Sequence, residues 1–169
     1  MIIKELRDED FVNYKKPSMF IGFPTCSFKC CKEGNFPIEV CQNCSLAKAD
    51  GTEVSPEQIV ERYLNNPITN SVVIGGLEPF DDYRDLLELI SYFRFKKCYD
   101  DIVIYTGYTE AECKASGFLF DLQRYGPIVI KFGRFIPNQQ PHYDDILGVK
   151  LASDNQYGKR ILTRGYHNG

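Results

Sequence analysis

Five of the chain's seven cysteines lie within residues 18–48, and this stretch constrains the fold more than any other. An apolar run from Met19 to Phe23 predicts a buried strand, which Pro24 ends. The loop that follows carries Cys26, Cys30, Cys31, Cys41 and Cys44. Because ligands bind at the carboxyl ends of the strands in an open α/β sheet, we expect these cysteines to lie at a functional site.

Thiolates that are brought together favour a soft metal centre, and the spacing fits two kinds. The pairs Cys26-x3-Cys30 and Cys41-x2-Cys44 provide four ligands for a structural zinc ion. Cys26, Cys30 and Cys41 alone provide three thiolates, which leave one iron of a four-iron cluster open for chemistry. The cysteines by themselves do not choose between zinc and iron, but five in one loop are too many to be packing residues.

The length and composition are those of an ordinary soluble protein. At 169 residues the chain is expected to form a single domain, residues 1–169, that buries a sizeable core. The net charge of −3 and the pI near 5.4 provide no basic face for nucleic acid. These values favour a protein or a small molecule as the partner.

The N-terminus and the hydropathy pattern predict a cytoplasmic location. The first residues, MIIKELRDED, lack the pattern of a signal peptide. No apolar run approaches the roughly 20 residues that span a bilayer, so we expect no membrane segment. In a reducing compartment, clustered cysteines indicate metal binding or catalysis before disulfides.

Short β-branched runs predict further strands along the chain. They are Ser71–Ile74, Asp101–Tyr105, Pro127–Phe132 and Ile146–Leu151. Helical patterns separate the strands, so the pattern predicts a mostly parallel sheet built from βαβ units. These units are too few to close an eight-stranded barrel. The predicted fold class is therefore α/β, as an open partial barrel.

Local capping signals predict where the helices begin. Ser55 and Thr109 each open a capping box, and either Asp81 or Asp82 is expected to cap a helix between them. The segment that begins at Ser153 is expected to turn into a short final helix.

A pair of glycines, Gly75 and Gly76, follows the predicted strand at Ser71–Ile74. The pair forms either a plain tight turn or a backbone that a ligand can approach closely. Glu78 beside it can receive a cation such as an amino group. The position at a strand's carboxyl end favours the functional interpretation.

Three features together resemble the radical S-adenosyl-L-methionine (SAM) enzymes, and most closely the activating proteins of anaerobic (class III) ribonucleotide reductases. They are the cysteine loop, the turn from Gly75 to Pro79, and Thr106-Gly107-Tyr108. The resemblance extends from Ser18 to about Gln156 in the same order. It favours the iron–sulfur cluster over zinc, because a zinc site gives no reason for the later motifs.

The resemblance also implies which residues hold the cofactors. Cys26 and Cys30 match the first two cluster ligands, and Cys41 matches the third through the family's Cys-x-Asn pattern, with Cys44 and Cys31 as alternatives. In the family's Gly-Gly-Asp/Glu-Pro turn, which meets the amino group of SAM, this chain has an extra leucine before the glutamate. The implied cofactor-binding residues are Phe28, Val40, Gly75, Gly76, Glu78, Thr106 and Tyr108, with Val40 against the adenine.

The function implied by the resemblance needs a 4Fe-4S cluster and SAM. Reductive cleavage of SAM gives a 5′-deoxyadenosyl radical, which makes a glycyl radical on the large subunit of anaerobic ribonucleotide reductase. An electron donor such as flavodoxin or ferredoxin is implied as a second partner. The alternatives are a small radical SAM enzyme that acts on a metabolite or on another glycyl-radical enzyme, and a non-catalytic zinc or iron–sulfur module.

Overall fold

A computed structural model describes residues 1–163; the last part of the predicted domain, residues 164–169, lies outside the described residues. The strands are β1 (Ile2–Ile3), β2 (Glu5–Asp10), β3 (Ser18–Phe23), β4 (Thr52–Glu53), β5 (Ser71–Gly76), β6 (Asp101–Tyr105), β7 (Ile128–Phe132), β8 (His142–Asp144), β9 (Val149–Leu151) and β10 (Tyr157–Ile161). The α-helices are α1 (Lys29–Gly34), α2 (Cys44–Lys48), α3 (Pro56–Leu64), α4 (Tyr83–Phe95), α5 (Glu110–Ala115) and α6 (Phe118–Leu122).

Six strands form the central sheet, in the order β10-β7-β6-β5-β3-β2. The four inner strands, β3, β5, β6 and β7, are parallel, while β2 and β10 pair antiparallel at the two edges. The predicted α/β class with a mostly parallel sheet is therefore confirmed. Within residues 1–163 the sheet stays open at β2 and β10 and does not close into a barrel.

The two faces of the sheet bury different groups of side chains, because successive residues of a strand point to opposite faces. On one face, Ile74 and its neighbours in the parallel strands pack against Ile59 of α3 and Leu89 of α4. On the other face, Val73 and its neighbours pack against Tyr14 and Leu147. Both faces of the inner strands are covered, which explains their continuous apolar sequences.

The predicted capping boxes are present at both helices. The Ser55 side chain accepts a hydrogen bond from the backbone N–H of the third residue of α3, and Thr109 does the same for α5. Asp82 precedes α4, but its side chain makes no cap hydrogen bond within the described residues. No helix in residues 1–163 is both long and apolar enough to cross a membrane.

The predicted final helix is wrong, because the chain after Ser153 forms the edge strand β10. Ser153 and Gln156 do make a local turn, in which the backbone N–H of Gln156 donates to the carbonyl of Ser153 at 3.1 Å. The next residue, Tyr157, already pairs with Phe132 of β7. Pairing with an exposed sheet edge satisfies the backbone of this segment, so tertiary structure overrides the local helix signal.

Candidate functional site

The carboxyl ends of β5, β6 and β7 meet the cysteine segment, residues 24–48, around a cavity of about 240 Å³. Several of the residues that the sequence singles out line this cavity. They are Cys26, Cys30, Cys41, Gly75, Gly76, Glu78 and Thr106. The cavity occupies the crevice at the strand ends that an open parallel sheet offers to ligands.

The cysteine segment is more structured than the predicted loop. It contains α1, a 3-10 turn at Ile38–Val40, and α2. Cys26 precedes α1, Cys30 lies within α1, and Cys41 directly follows the 3-10 turn. Helices this short are marginal in water by themselves, so contacts with the sheet must hold the segment in place.

Cys41 joins Cys26 and Cys30 at the cavity, whereas Cys31 and Cys44 are not among the residues that line it. Cys31 is buried, with its sulfur 3.9 Å from the sulfur of Cys30. Cys44 is the first residue of α2. The cavity therefore brings together the three cysteines that the family resemblance implies as cluster ligands. The ligand set itself stays a prediction.

The three cavity thiols are close enough to change one another's acidity. A hydrogen bond between Cys30 and Cys41 lowers the pKa of Cys30 and raises the pKa of Cys41, with burial opposing the first effect and adding to the second. Burial raises the pKa of Cys26 to about 12, although the N–H of Phe28 donates to its sulfur at 3.2 Å. The protonated forms of Cys26 and Cys41 are thus favoured, and a metal centre must displace their protons.

Glu78 lies on the side of the cavity formed by the strand ends, opposite the cysteine segment. Its side chain is buried, and the residue is 6% exposed. Its Oε1 accepts hydrogen bonds from Thr106 Oγ1 at 2.7 Å and from the N–H of Phe80 at 3.2 Å, and its Oε2 accepts one from the N–H of Gly107 at 2.8 Å. Burial raises the pKa of Glu78 to about 7, although these bonds oppose the rise. A carboxylate oxygen has room for a second donor, so Oε2 can receive a cation from the cavity. The inserted Leu77 leaves Glu78 in the cavity wall.

Lys131, which lies at the end of β7, brings a positive charge to the same cavity. It is 8% exposed, and its Nζ donates to the carbonyls of Gly133 at 3.0 Å and of Thr106 at 3.4 Å. Burial lowers the pKa of Lys131 to about 8, while the charges of Glu78 and Cys30 oppose the decrease. In the sequence, Lys131 belongs to a polar strand end, Lys131–Arg134, and the motifs assign it no role.

The two glycines contribute backbone to the cavity for different reasons. Gly76 has a φ of +81°, and a Cβ there would lie 2.7 Å from the Cα of Gly22 in the neighbouring strand. Gly75 has ordinary φ, and a Cβ on it would lie 3.4 Å from the side chains of Phe20 and Tyr105. Gly76 is therefore required by strand packing, whether or not a ligand approaches it.

Three of the implied cofactor-binding residues do not line the main cavity. Val40 is 41% exposed, and Phe28 stands at the start of α1 in a left-handed conformation. Tyr108 borders a smaller cavity of about 30 Å³, which it shares with Cys26 and Cys30. The roles of Phe28, Val40 and Tyr108 in binding SAM stay predictions.

Polar contacts anchor the cysteine segment to the sheet. The amide of Asn43 donates to the carbonyl of Gly76 at 2.6 Å, which fixes the chain just after Cys41. Arg134 pairs with Glu33 of α1 at 2.6 Å and with Glu112 of α5 at 2.7 Å. These bridges tie α1 and α2 to the strand side of the cavity.

The arrangement of donors differs between the two metal hypotheses. Across residues 1–163, no group of three or more His, Cys, Asp or Glu side chains is arranged to hold one metal ion. A zinc ion draws its ligands to a single point, at about 2.0–2.3 Å. In an iron–sulfur cluster, cysteine thiolates surround a larger object. Three thiols around a cavity of about 240 Å³ fit a cluster better than a single ion.

Comparison with known families supports an iron–sulfur centre. A family model described as a 4Fe-4S single cluster domain matches residues 20–149, a range that contains all seven cysteines. The match covers well over half of the chain, so the chain belongs to this family, which is found in radical SAM-type proteins. Neither a search of curated proteins nor a search of solved structures finds a match.

Proposed function

We propose that this member of the 4Fe-4S single cluster domain family is a radical SAM activase that generates a glycyl radical on the large subunit of anaerobic ribonucleotide reductase. One observation carries the proposal. A single cavity of about 240 Å³ brings together three thiols, the buried Glu78 carboxylate and the buried Lys131 ammonium. Such a cavity suits an iron–sulfur cluster and, beside it, a ligand that carries both an amino group and a carboxylate.

Cys26, Cys30 and Cys41 are the proposed ligands of the cluster. Three thiolates bind three irons and leave the fourth iron open. When bound and reduced, the cluster supplies the electron that cleaves a carbon–sulfur bond of SAM to give methionine and a 5′-deoxyadenosyl radical. Cys26, Cys30 and Cys41 line the cavity together with residues of the strand ends, so a cluster that they held would lie beside those strand ends.

The strand wall orients the methionine group of SAM. Glu78 Oε2 would receive the amino group of SAM and the Lys131 ammonium would pair with its carboxylate, so that both charges of the amino acid would meet opposite charges on buried side chains. Thr106 and Gly107 hold the Glu78 carboxylate in place through their hydrogen bonds. Gly75 and Gly76 contribute backbone beside this position.

The protein partner enters from the open side. We infer that the open sheet of residues 1–163 corresponds to the partial barrel of radical SAM enzymes, with β2 and β10 as its free edges. A glycine loop of the large subunit is the proposed target, because an open sheet suits a protein substrate better than a closed barrel does. A donor such as flavodoxin or ferredoxin is the proposed source of the electron.

SAM cleavage by the reconstituted protein tests the proposal. The protein is loaded anaerobically with iron and sulfide, reduced with dithionite and mixed with SAM, and methionine and 5′-deoxyadenosine are quantified. We expect equal amounts of the two products from the wild type and from Cys44→Ala, and none from Cys41→Ala. With the large reductase subunit present, a glycine-centred radical should appear in the electron paramagnetic resonance (EPR) spectrum.

Each negative result of the SAM cleavage test would correct a different part of the proposal. A protein that binds a cluster but never cleaves SAM is a non-catalytic iron–sulfur module. Cleavage by Cys41→Ala together with loss in Cys44→Ala replaces Cys41 by Cys44 as the third ligand. Cleavage of SAM without a radical on the reductase retains the radical chemistry and rejects the partner.

A further inference from the structure

We propose that Asp81 is a positioning residue that fixes the turn from Cys26 to Phe28, so that the first cluster cysteine is held ready for the metal centre. The inference rests on the cluster binding in the proposed function and adds a residue that neither the motifs nor the family match assigns. The sequence offers Asp81 as a candidate helix cap, but the structure gives its side chain a different use.

The Asp81 carboxylate joins three parts of the site. Its Oδ2 accepts a hydrogen bond from the backbone N–H of Ser27 at 2.6 Å, directly after Cys26. Its Oδ1 accepts one from the hydroxyl of Tyr108 at 2.7 Å. Asp81 itself lies in the 3-10 turn Pro79–Asp82 that follows Glu78. The Asp81 side chain thus links the cysteine segment, the 3-10 turn after Glu78 and the turn that contains Tyr108.

The turn that Asp81 holds has an uncommon backbone. Phe28 has φ 52° and ψ 39°, a left-handed conformation that is uncommon for residues other than glycine. Because of this turn, the N–H of Phe28 points back to the sulfur of Cys26 at 3.2 Å. The Asp81–Ser27 bond fixes the preceding peptide and therefore supports the N–H···S contact.

A carboxylate at this position also acts through its charge. Asp81 accepts its hydrogen bond from the N–H of Ser27, which directly follows Cys26, so the charge of its carboxylate lies close to the first proposed ligand. Hydrogen bonds to cluster sulfurs and nearby charges are among the factors that set a cluster's reduction potential. Asp81 therefore has two separable effects, one through its hydrogen bonds and one through its charge.

Two variants separate these effects. Asp81→Ala removes both the hydrogen bonds and the charge, whereas Asp81→Asn removes the charge and keeps an oxygen that can accept from Ser27. Asp82→Asn is the matched control, because it removes a charge from the next residue, whose Oδ2 has no hydrogen-bond partner within the described residues. All variants use the full chain, and circular dichroism establishes that each is folded.

The first readout needs no cluster. Amide hydrogen exchange of the metal-free protein is followed at residues 26–29. We expect exchange to accelerate by about fivefold to tenfold in Asp81→Ala, as the loss of one charge-assisted hydrogen bond implies, and to accelerate less in Asp81→Asn. Exchange that is the same in the wild type and in Asp81→Ala overturns the proposal.

The second readout uses the loaded protein. Iron release to a chelator should be slowest in the wild type and in Asp82→Asn, intermediate in Asp81→Asn and fastest in Asp81→Ala. The midpoint potential should rise in both Asp81 variants, because removal of a nearby negative charge favours the reduced cluster. A release rate and a potential in Asp81→Ala equal to those of Asp82→Asn overturn the proposal. A wild type that assembles no cluster refutes the proposed function instead, and the exchange measurement still decides the role of Asp81.

Discussion

The two walls of the cavity are built differently. On the strand wall, Glu78, Thr106 and Lys131 are buried and hydrogen-bonded. On the opposite wall, Cys26 and the other cavity cysteines are only half-buried and lie on or beside short helical turns. The strand wall is therefore held together by its own hydrogen bonds, whereas we expect the cysteine wall to be stabilised mainly by the cluster that it binds.

The difference follows from what each wall buries. The strand wall continues the core of a sheet whose inner strands are covered on both faces. In the cysteine segment, the described residues of the 3-10 turn Ile38–Val40 and of α2 include no buried side chain, and α1 buries Cys31. Segments with few buried apolar contacts open at low free-energy cost. A ligand that binds the folded form then stabilises it by mass action.

The largest expected effect is the loss of the cluster when a cysteine of the cysteine wall is replaced, without a matching loss of fold stability. Cys30→Ala should abolish cluster assembly, because it removes one of three thiolate ligands, while the stability of the metal-free fold changes by less than about 0.5 kcal/mol. Iron and sulfide content and urea unfolding of the metal-free protein measure the two effects. Cys44→Ala is the matched control and should retain the cluster. A large loss of stability in metal-free Cys30→Ala would show that the cysteine wall is as much part of the core as the strand wall.

The next largest effect is a loss of fold stability when Gly76 of the strand wall is replaced. Gly76→Ala should reduce the free energy of unfolding by about 2–4 kcal/mol, because it combines a positive φ with a Cβ 2.7 Å from the Cα of Gly22. Gly117→Ala is the control, since Gly117 has a similar φ of +79° but no atom within 4 Å of a Cβ. Its cost should stay near 1 kcal/mol, the strain of the backbone alone. Equal costs in urea unfolding would contradict the packing role of Gly76.

The pH dependence of stability reports on the buried carboxyl. Burial raises the pKa of Glu78 from its ordinary value of 4.5 to about 7, so the folded state binds this proton more tightly than the unfolded state. The contribution of Glu78 is fully present below about pH 4.5 and is lost as the pH rises to about 7.

The measurement is urea unfolding of the metal-free protein between pH 4.5 and 8, beside Glu78→Gln. Lys131 has its pKa lowered to about 8, so it stays protonated in both states over most of this window and adds its own change near the upper end. We expect the wild type to lose stability relative to Glu78→Gln as the pH rises to 7. Parallel curves for the two proteins would mean that Glu78 titrates normally.

The smallest effect tests a part of the fold that is remote from both walls. Ser55→Ala removes the cap of α3 and should reduce the free energy of unfolding by about 1 kcal/mol. Cluster content and SAM cleavage should not change, because the capping box stands outside the cavity. Thr109→Ala repeats the test at α5. Loss of the cluster in Ser55→Ala would show that the cysteine segment depends on the stability of the whole fold.

The sequence predicted the parts of the structure that local physics determines. The continuous apolar strands and both capping boxes are confirmed, because burial on both faces and the pairing of Ser55 or Thr109 with the third helical residue leave clear patterns. Glu78 and Thr106, which the sequence singles out at the ends of β5 and β6, line one cavity, while their role in binding a ligand stays a prediction.

The features that the sequence missed depend on contacts between distant residues. Asp81 resembles a helix cap locally, yet its partners are Ser27 and Tyr108. Lys131 lies in a strand, and only the sheet order brings its ammonium into the cavity beside Glu78. The segment after Ser153 has a helix-like start, but it forms the strand β10 because it pairs with the edge of β7. No local pattern carries this information.

The proposed function requires an open iron in the cluster and a strand wall that binds SAM beside it. EPR of the anaerobically reconstituted and reduced protein, recorded with and without SAM, tests it most directly. We expect a reduced 4Fe-4S signal that changes when SAM is added. A cluster signal that is indifferent to SAM, or an EPR-silent protein that holds zinc, would contradict it.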